Sequence, residues 1–168
     1  MTTLYLVRHG ETIDNAAKVM QGQTQGRLNA NGIRQAELLR EQLRREPIDA
    51  FVASDLNRAI ETCRIIALPH RLPIETTPLL RERDWGNFTG RYIPDLRNVP
   101  LPPNVESIER IKARALAFLS YIKTAYPDQT VLAVGHGIIN KAIQSVFFRL
   151  PMNEVKRMEN AEVRILQL

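Results

Sequence analysis

The sequence predicts a three-layer α/β/α sandwich around a mainly parallel sheet, with a last strand added antiparallel at one edge. Three observations carry this expectation. Continuous apolar runs, Leu4-Tyr5-Leu6-Val7, Phe51-Val52-Ala53 and Val131-Leu132-Ala133-Val134, have the composition of strands buried on both faces. Segments of helical period lie between them, so strand and helix alternate. Two of the runs also end alike, in Val7-Arg8-His9-Gly10 and Val134-Gly135-His136-Gly137. In an open α/β sheet such ends share the edge where ligands bind.

The first strand breaks at Gly10. Gly22, Gly26, Asn29 and the Asn31-Gly32 pair then mark an irregular polar segment. Asn29 suits a helix N-cap, its side-chain oxygen accepting from an early helical N–H. The helix behind it is expected to bury Ile33, Ala36, Leu39 and Leu43, with Arg40, Glu41, Arg44 and Arg45 largely off that face, until Pro47 stops it. A strand at 50–54 and a helix at 57–67 follow. Pro69 and Pro73 bracket a turn before a short strand at 74–77. Residues 80–104 show no regular pattern and hold the only tryptophan, Gly86, Gly90 and four prolines (Pro94, Pro100, Pro102, Pro103). A stretch of that length reads as a functional lid or a linker, and Trp85 and Phe88 argue for one that packs. The spacing of Ile108, Ile111, Ala115, Phe118 and Ile122 predicts a helix from Ser107 to about Tyr126, ended by Pro127-Asp128. A strand at 130–134, a helix at 138–148 closed by Pro151, and an edge strand at 163–168 complete the chain.

With 168 residues, 44% of them hydrophobic and 24% charged, the chain suits a single domain over residues 1–168. No apolar run approaches the ~20 residues of a membrane span. The N-terminus lacks the basic and apolar regions of a secretion signal. The one cysteine, Cys63, has no partner for an internal disulfide and sits in a helical pattern as a buried bystander. A cytoplasmic protein is expected. The net charge of +5 and pI near 9.7 would suit a polyanionic partner. Yet the basic residues alternate with acids, as in Arg40-Glu41 and Arg44-Arg45-Glu46, and only 6% of the chain is aromatic. Those are solvated helix faces and argue against nucleic acid. His70, in a proline-flanked turn, is expected to face solvent. No cluster of His, Cys, Asp and Glu has metal-ligand spacing, and Asn140 stands where a dinucleotide fingerprint needs its third glycine. Neither a metal nor another cofactor is indicated.

The chemistry lies at the strand ends. Arg8 with His9, Arg58 beyond the second run, and His136 would converge on one cleft, a site for an anion with a nucleophile in it. Neutral imidazole attacks phosphorus well, and arginine presents a planar fork that matches phosphoryl oxygens. Gly10 and Gly137 would let the backbone approach the anion closely.

Five segments in order then resemble one family, the histidine phosphatase superfamily (phosphoglycerate mutase-like). Arg8-His9-Gly10-Glu11-Thr12 resembles its first histidine motif, and Leu28-Asn29-Ala30-Asn31-Gly32-Ile33-Arg34-Gln35-Ala36 its first long helix. Ser54-Asp55-Leu56-Asn57-Arg58-Ala59-Ile60-Glu61-Thr62 is similar to its second arginine segment. Leu80-Arg81-Glu82-Arg83, with Gly86 and Gly90, resembles its glutamate loop, and Gly135-His136-Gly137 its second histidine motif. The resemblance implies that His9 carries a phosphohistidine, that Arg8, Arg58 and His136 hold the phosphoryl oxygens, and that Glu82 is the proton donor and acceptor. It also places Asn15, Gln21 and Gly22 among the substrate contacts.

Two departures bear on the reaction. The insertion that family mutases carry after the glutamate loop is reduced here to residues 92–104, and Val105-Glu106-Ser107 stands where Gly-Glu-Ser is usual. The resemblance therefore favours the phosphatase branch: a metal-independent phosphomonoester hydrolase acting on a small phosphorylated metabolite. Alternatives are a cofactor-dependent phosphoglycerate mutase, and a phosphoprotein phosphatase or non-catalytic phospho-ligand binding module. All the expected core residues being present argues against an idle site.

Overall fold

The computed structural model describes every residue from Met1 to Leu168. Its strands are β1 (Thr3–Arg8), β2 (Ala50–Ser54), β3 (Ile74–Thr77), β4 (Thr130–Gly135) and β5 (Val163–Gln167). Its helices are α1 (Ile13–Ala17), α2 (Ala30–Leu43), α3 (Asn57–Ala67), α4 (Ile108–Ala125) and α5 (Gly137–Phe148). One sheet runs in the order β3-β2-β4-β1-β5, with β5 alone antiparallel.

The apolar runs are strands because both sheet faces are covered. Residues alternate between two cores. Leu4, Leu6, Val52, Val131 and Ala133 face Ile111, Phe118 and Ile143 of α4 and α5. Val7, Phe51, Ala53, Leu132 and Val134 face Leu39, Leu43, Cys63 and Ile66 of α2 and α3. A period of two is thus hidden inside sequences that are apolar at nearly every position. No helix is long and apolar enough to cross a membrane.

Asn29 caps α2 as expected, accepting from the Gly32 N–H at 2.8 Å, and Ser107 caps α4 through the Arg110 N–H at 3.1 Å. The buried face of α2 differs from expectation: Ile33 is 39% exposed and Gly32 is buried in its place. A Cβ on Gly32 would lie 2.0 Å from the Glu11 carbonyl oxygen, and one on Gly10 would lie 2.6 Å from that of Gly32. The two glycines exist for this backbone crossing, so the room beside Gly10 belongs to α2 and not to an anion.

Helix α1 was not foreseen. It has five residues and buries none, so it carries no apolar period; Thr12 and Asn15 hold it through reciprocal capping bonds of 2.9 and 3.1 Å. His70 also departs from expectation. It is half-buried, its ring 5.1 Å from that of Phe51. Cys63 is fully buried, which pushes its thiol up to about 12.

Residues 80–104 form no long element but are pinned. Met20 and Arg91 bond at 2.9 Å, Gly90 to the Met20 carbonyl at 2.7 Å, and Ile93 to that of Lys18 at 2.8 Å. Phe88 is buried beneath them. The segment is an ordered flap lying on the loop that follows α1.

Candidate active site

The register of β1 against β4 builds the centre. Val7 pairs with Val134 and Arg8 with Gly135, so His9 and His136 leave adjacent strands side by side. Their ring centroids are 5.1 Å apart, at 62°. Asn160, from the loop before β5, donates to the His9 carbonyl at 3.1 Å and steadies that turn.

The Nδ1 of His9 lies 2.7 Å from the Gly10 carbonyl oxygen. A carbonyl only accepts, so Nδ1 carries the proton and Nε2 keeps its lone pair. Burial first, then Arg58, with further contributions from Arg8 and Arg157, holds this imidazole well below its ordinary value near 6.5; the Gly10 carbonyl opposes them. His9 is a neutral imidazole among cations.

His136 is likewise held neutral, chiefly by burial and then by Arg58. Its Nε2 lies 2.8 Å from the Ser54 hydroxyl, which already accepts from the Leu56 N–H at 3.2 Å. A hydroxyl that donates to Nε2 leaves the ring proton on Nδ1, which has no partner in the protein.

Arg8 is buried and donates through Nη1 to the Met158 carbonyl at 2.7 Å. Arg58, in the first turn of α3, is 1% exposed. It donates to the carbonyls of Gly22 at 2.7 Å, Thr24, and Gln25 at 3.4 Å, gathering the loop that follows α1. Burial lowers Arg58 to about 10, so it stays charged near neutrality. The Nε of each arginine is buried and unpartnered.

Glu82 sits on the N-terminus of α5. Its carboxylate accepts from Ile138 at 3.1 Å, Ile139 at 3.0 Å and Arg83 at 2.9 Å. The Glu82 loop is held from behind by Arg114 of α4, which donates to the carbonyls of Leu79 (3.0 Å), Arg81 and Glu82 (3.3 Å) and pairs with Glu106 at 2.8 Å. Neither Arg114 nor this role of Glu106 was read from the sequence.

Seven of the nine expected site residues line one cavity of about 280 Å³: Arg8, His9, Asn15, Gln21, Gly22, Arg58 and Glu82. His136 and Gly137 are not among the residues that line it. Gly137 faces the guanidinium of Arg8, and Gly10 lies against α2 as described. Asn15 accepts from Thr12 and Asn160, and Gln21 from the Thr12 hydroxyl at 3.0 Å. Arg157 and Trp85 also line the cavity, and the first carried no sequence signal. No three His, Cys, Asp or Glu side chains gather closely enough to hold a metal ion.

A neutral, correctly tautomeric imidazole under two buried guanidinium groups suits transfer of a phosphoryl group, and comparison with known proteins agrees. The chain is 38% identical to the uncharacterised phosphatase PhoE of Bacillus subtilis (strain 168) over 140 residues, 82% of this chain and 72% of that protein. It is 33% identical to the probable phosphoglycerate mutase GpmB of Yersinia pestis (strain Pestoides F) over 172 positions, covering 94% of this chain and 80% of that one. Among solved structures, YhfR of Bacillus stearothermophilus superposes with a TM-score of 0.94 at 28% identity, covering 100% of this chain and 92% of that one. A mycobacterial glucosyl-3-phosphoglycerate phosphatase, solved with VO3, superposes at 0.90 with 25% identity, covering 98% and 90%. The histidine phosphatase superfamily (branch 1) profile matches residues 4–168, and the chain belongs to that superfamily.

Proposed function

We propose that the 168 residues act as one histidine phosphatase domain, hydrolysing a small phosphomonoester through a phosphohistidine on His9. The observation that supports this best is His9 itself: neutral, its Nδ1 tied to the Gly10 carbonyl and its Nε2 free in a cationic cavity. Arg8, Arg58 and the Nδ1–H of His136 take the three non-bridging oxygens, with Asn15, Gln21, Gly22 and Gly137 shaping the cradle. These donors stabilise charge spread over the oxygens in transit, the largest part of phosphoryl-transfer catalysis.

In the first step Nε2 of His9 bonds to phosphorus as the ester P–O bond breaks, and protonated Glu82 passes its proton to the leaving oxygen. In the second, Glu82 takes a proton from water as that water attacks phosphorus. The N–P bond breaks, releasing inorganic phosphate and neutral His9. A cytoplasmic setting fits the single buried thiol.

The test is phosphate release from p-nitrophenyl phosphate and a panel of phosphomonoesters in EDTA, for wild type and His9→Ala. EDTA-resistant turnover, lost in the variant, with an acid-labile phosphoenzyme trapped in wild type, is expected. Turnover that survives His9→Ala would refute the reading. Interconversion of phosphoglycerates without phosphate release would assign a mutase instead.

A further inference from the structure

The carbonyl that ties down Nδ1 of His9 belongs to Gly10, which is glycine because a Cβ there would strike the Gly32 carbonyl. The acceptor that orients His9 therefore sits on the backbone unit with the most conformational freedom. Two side chains remove that freedom. The Gly10 N–H donates to the Thr62 hydroxyl at 3.1 Å. The Glu11 N–H, on the far side of the same carbonyl, donates to Oε1 of Gln35 at 2.9 Å. Thr62 comes from α3 and Gln35 from α2, the two helices that cover this face of the sheet.

Thr62 is fixed in its turn. Its hydroxyl donates to the Arg58 carbonyl at 2.9 Å, one helical turn back, which leaves its lone pairs for Gly10. A threonine inside a helix needs only that back-bond. The second bond, to a residue 52 positions away, is one that α3 by itself does not require. Thr62 is 0% exposed and Gly10 is buried, so water cannot replace the hydroxyl without rearrangement, whereas Gln35 is half-buried. One hydroxyl thus joins the turn that carries His9 to the first turn of α3, where Arg58 stands. An imidazole whose Nδ1–H loses its acceptor takes either tautomer, and in the other one a proton stands on Nε2, where the attacking lone pair is needed. Attack on phosphorus also tolerates little displacement of that nitrogen.

We propose that Thr62, assisted by Gln35, is a positioning residue: by clamping the two N–H groups that flank the Gly10 carbonyl, it fixes the tautomer and the aim of His9. The inference rests on the reading of His9 as the nucleophile, but it concerns the state of the ring, which is measured without turnover.

The experiment compares wild type with Thr62→Val, nearly isosteric but without an acceptor, with Thr62→Ser, which keeps the hydroxyl, and with Gln35→Ala. The readouts are the ¹⁵N shifts of the His9 ring at neutral pH and the kinetics on p-nitrophenyl phosphate. Wild type is expected to show one tautomer, protonated on Nδ1, and Thr62→Val a mixture. In Thr62→Val kcat should fall about tenfold while KM changes by less than about twofold. Thr62→Ser should keep the single tautomer and most of kcat. A loss of stability alone moves neither the ring shifts nor the kcat of the folded enzyme. A folded Thr62→Val with the wild-type tautomer would overturn the proposal, as would mixed tautomers with kcat unchanged, or a mixture already present in wild type. So would a Thr62→Ser that behaves like Thr62→Val, which would place the role on the methyl group. Should Thr62→Val not fold, Gln35→Ala decides: mixed tautomers there support the proposal, and wild-type shifts refute it. Should wild type hydrolyse no phosphomonoester, the hydrolase reading falls, and the ring shifts still decide this inference.

Discussion

The Ser54 hydroxyl, at the end of β2, lies 2.8 Å from Nε2 of His136, just past the end of β4, and is the one protein group that bonds that ring. Both residues are fully buried, so water cannot substitute for the hydroxyl without rearrangement. Ser54→Ala should lower kcat/KM about tenfold, the loss of one hydrogen bond of ordinary strength. The ¹⁵N shifts of His136 should show mixed tautomers in the variant and one tautomer in wild type. An unchanged tautomer with reduced rate would mean that Ser54 acts otherwise.

Arg114 offers a second handle, because it holds the Glu82 loop without touching the cavity. Arg114→Ala removes the partner of the half-buried Glu106 and the donor to three carbonyls, and should destabilise the protein by roughly 3 kcal/mol in urea unfolding. Its kinetic signature is selective. Alkyl phosphates, whose leaving oxygen needs a proton, should lose far more kcat than p-nitrophenyl phosphate, and Arg114→Lys should recover part of the difference.

The two histidines make stability depend on pH in a defined direction. Both are held neutral in the folded protein well below 6.5, while in the unfolded chain they gain protons near that value. The unfolded state therefore binds more protons once pH falls below about 6.5, and stability should decline from there by up to about 1.4 kcal/mol per pH unit for each histidine. His136→Asn should flatten the slope of Tm between pH 6.5 and 5. A slope equal to that of wild type would contradict the buried neutral assignment. The same neutrality should keep the acid limb of kcat/KM below 6.5.

Gly32→Ala should be severe for so small a change. The added methyl would fall 2.0 Å from the Glu11 carbonyl oxygen, with Gly10 directly across the crossing. A loss on the order of 3 kcal/mol is expected by urea unfolding. Exposed Leu38→Ala on the same helix, at 66% exposure, should stay within ~0.5 kcal/mol.

The parts of this molecule written in its sequence are those whose cause is local. Apolar strands ending in His-Gly, the Asn29 cap and the proline stops are each decided within a few residues. Ile33 misled because the face of α2 is set by a backbone crossing with Gly10, a contact twenty-two positions away in the chain. His70 was misplaced for the same reason, since only the tertiary fold brings Phe51 beneath it. Helix α1 is too short to show a period. Arg157 and Asn160 reach the site because β5 returns antiparallel beside β1, and nothing in residues 149–162 announces that return. Arg114 was hidden differently: its helical position was foreseen, but its function depends on carbonyls from another loop.

Because His9 and His136 stand at the ends of neighbouring paired strands, their 5.1 Å separation is close to the ~4.8 Å repeat of any β-sheet. The spacing of the two imidazoles thus starts from backbone hydrogen bonding between β1 and β4, and the side-chain rotamers set the rest. Substitutions in the flap and in the loop before β5 lie outside that strand pairing and leave it in place. A protein built this way can change its diet without re-inventing its chemistry.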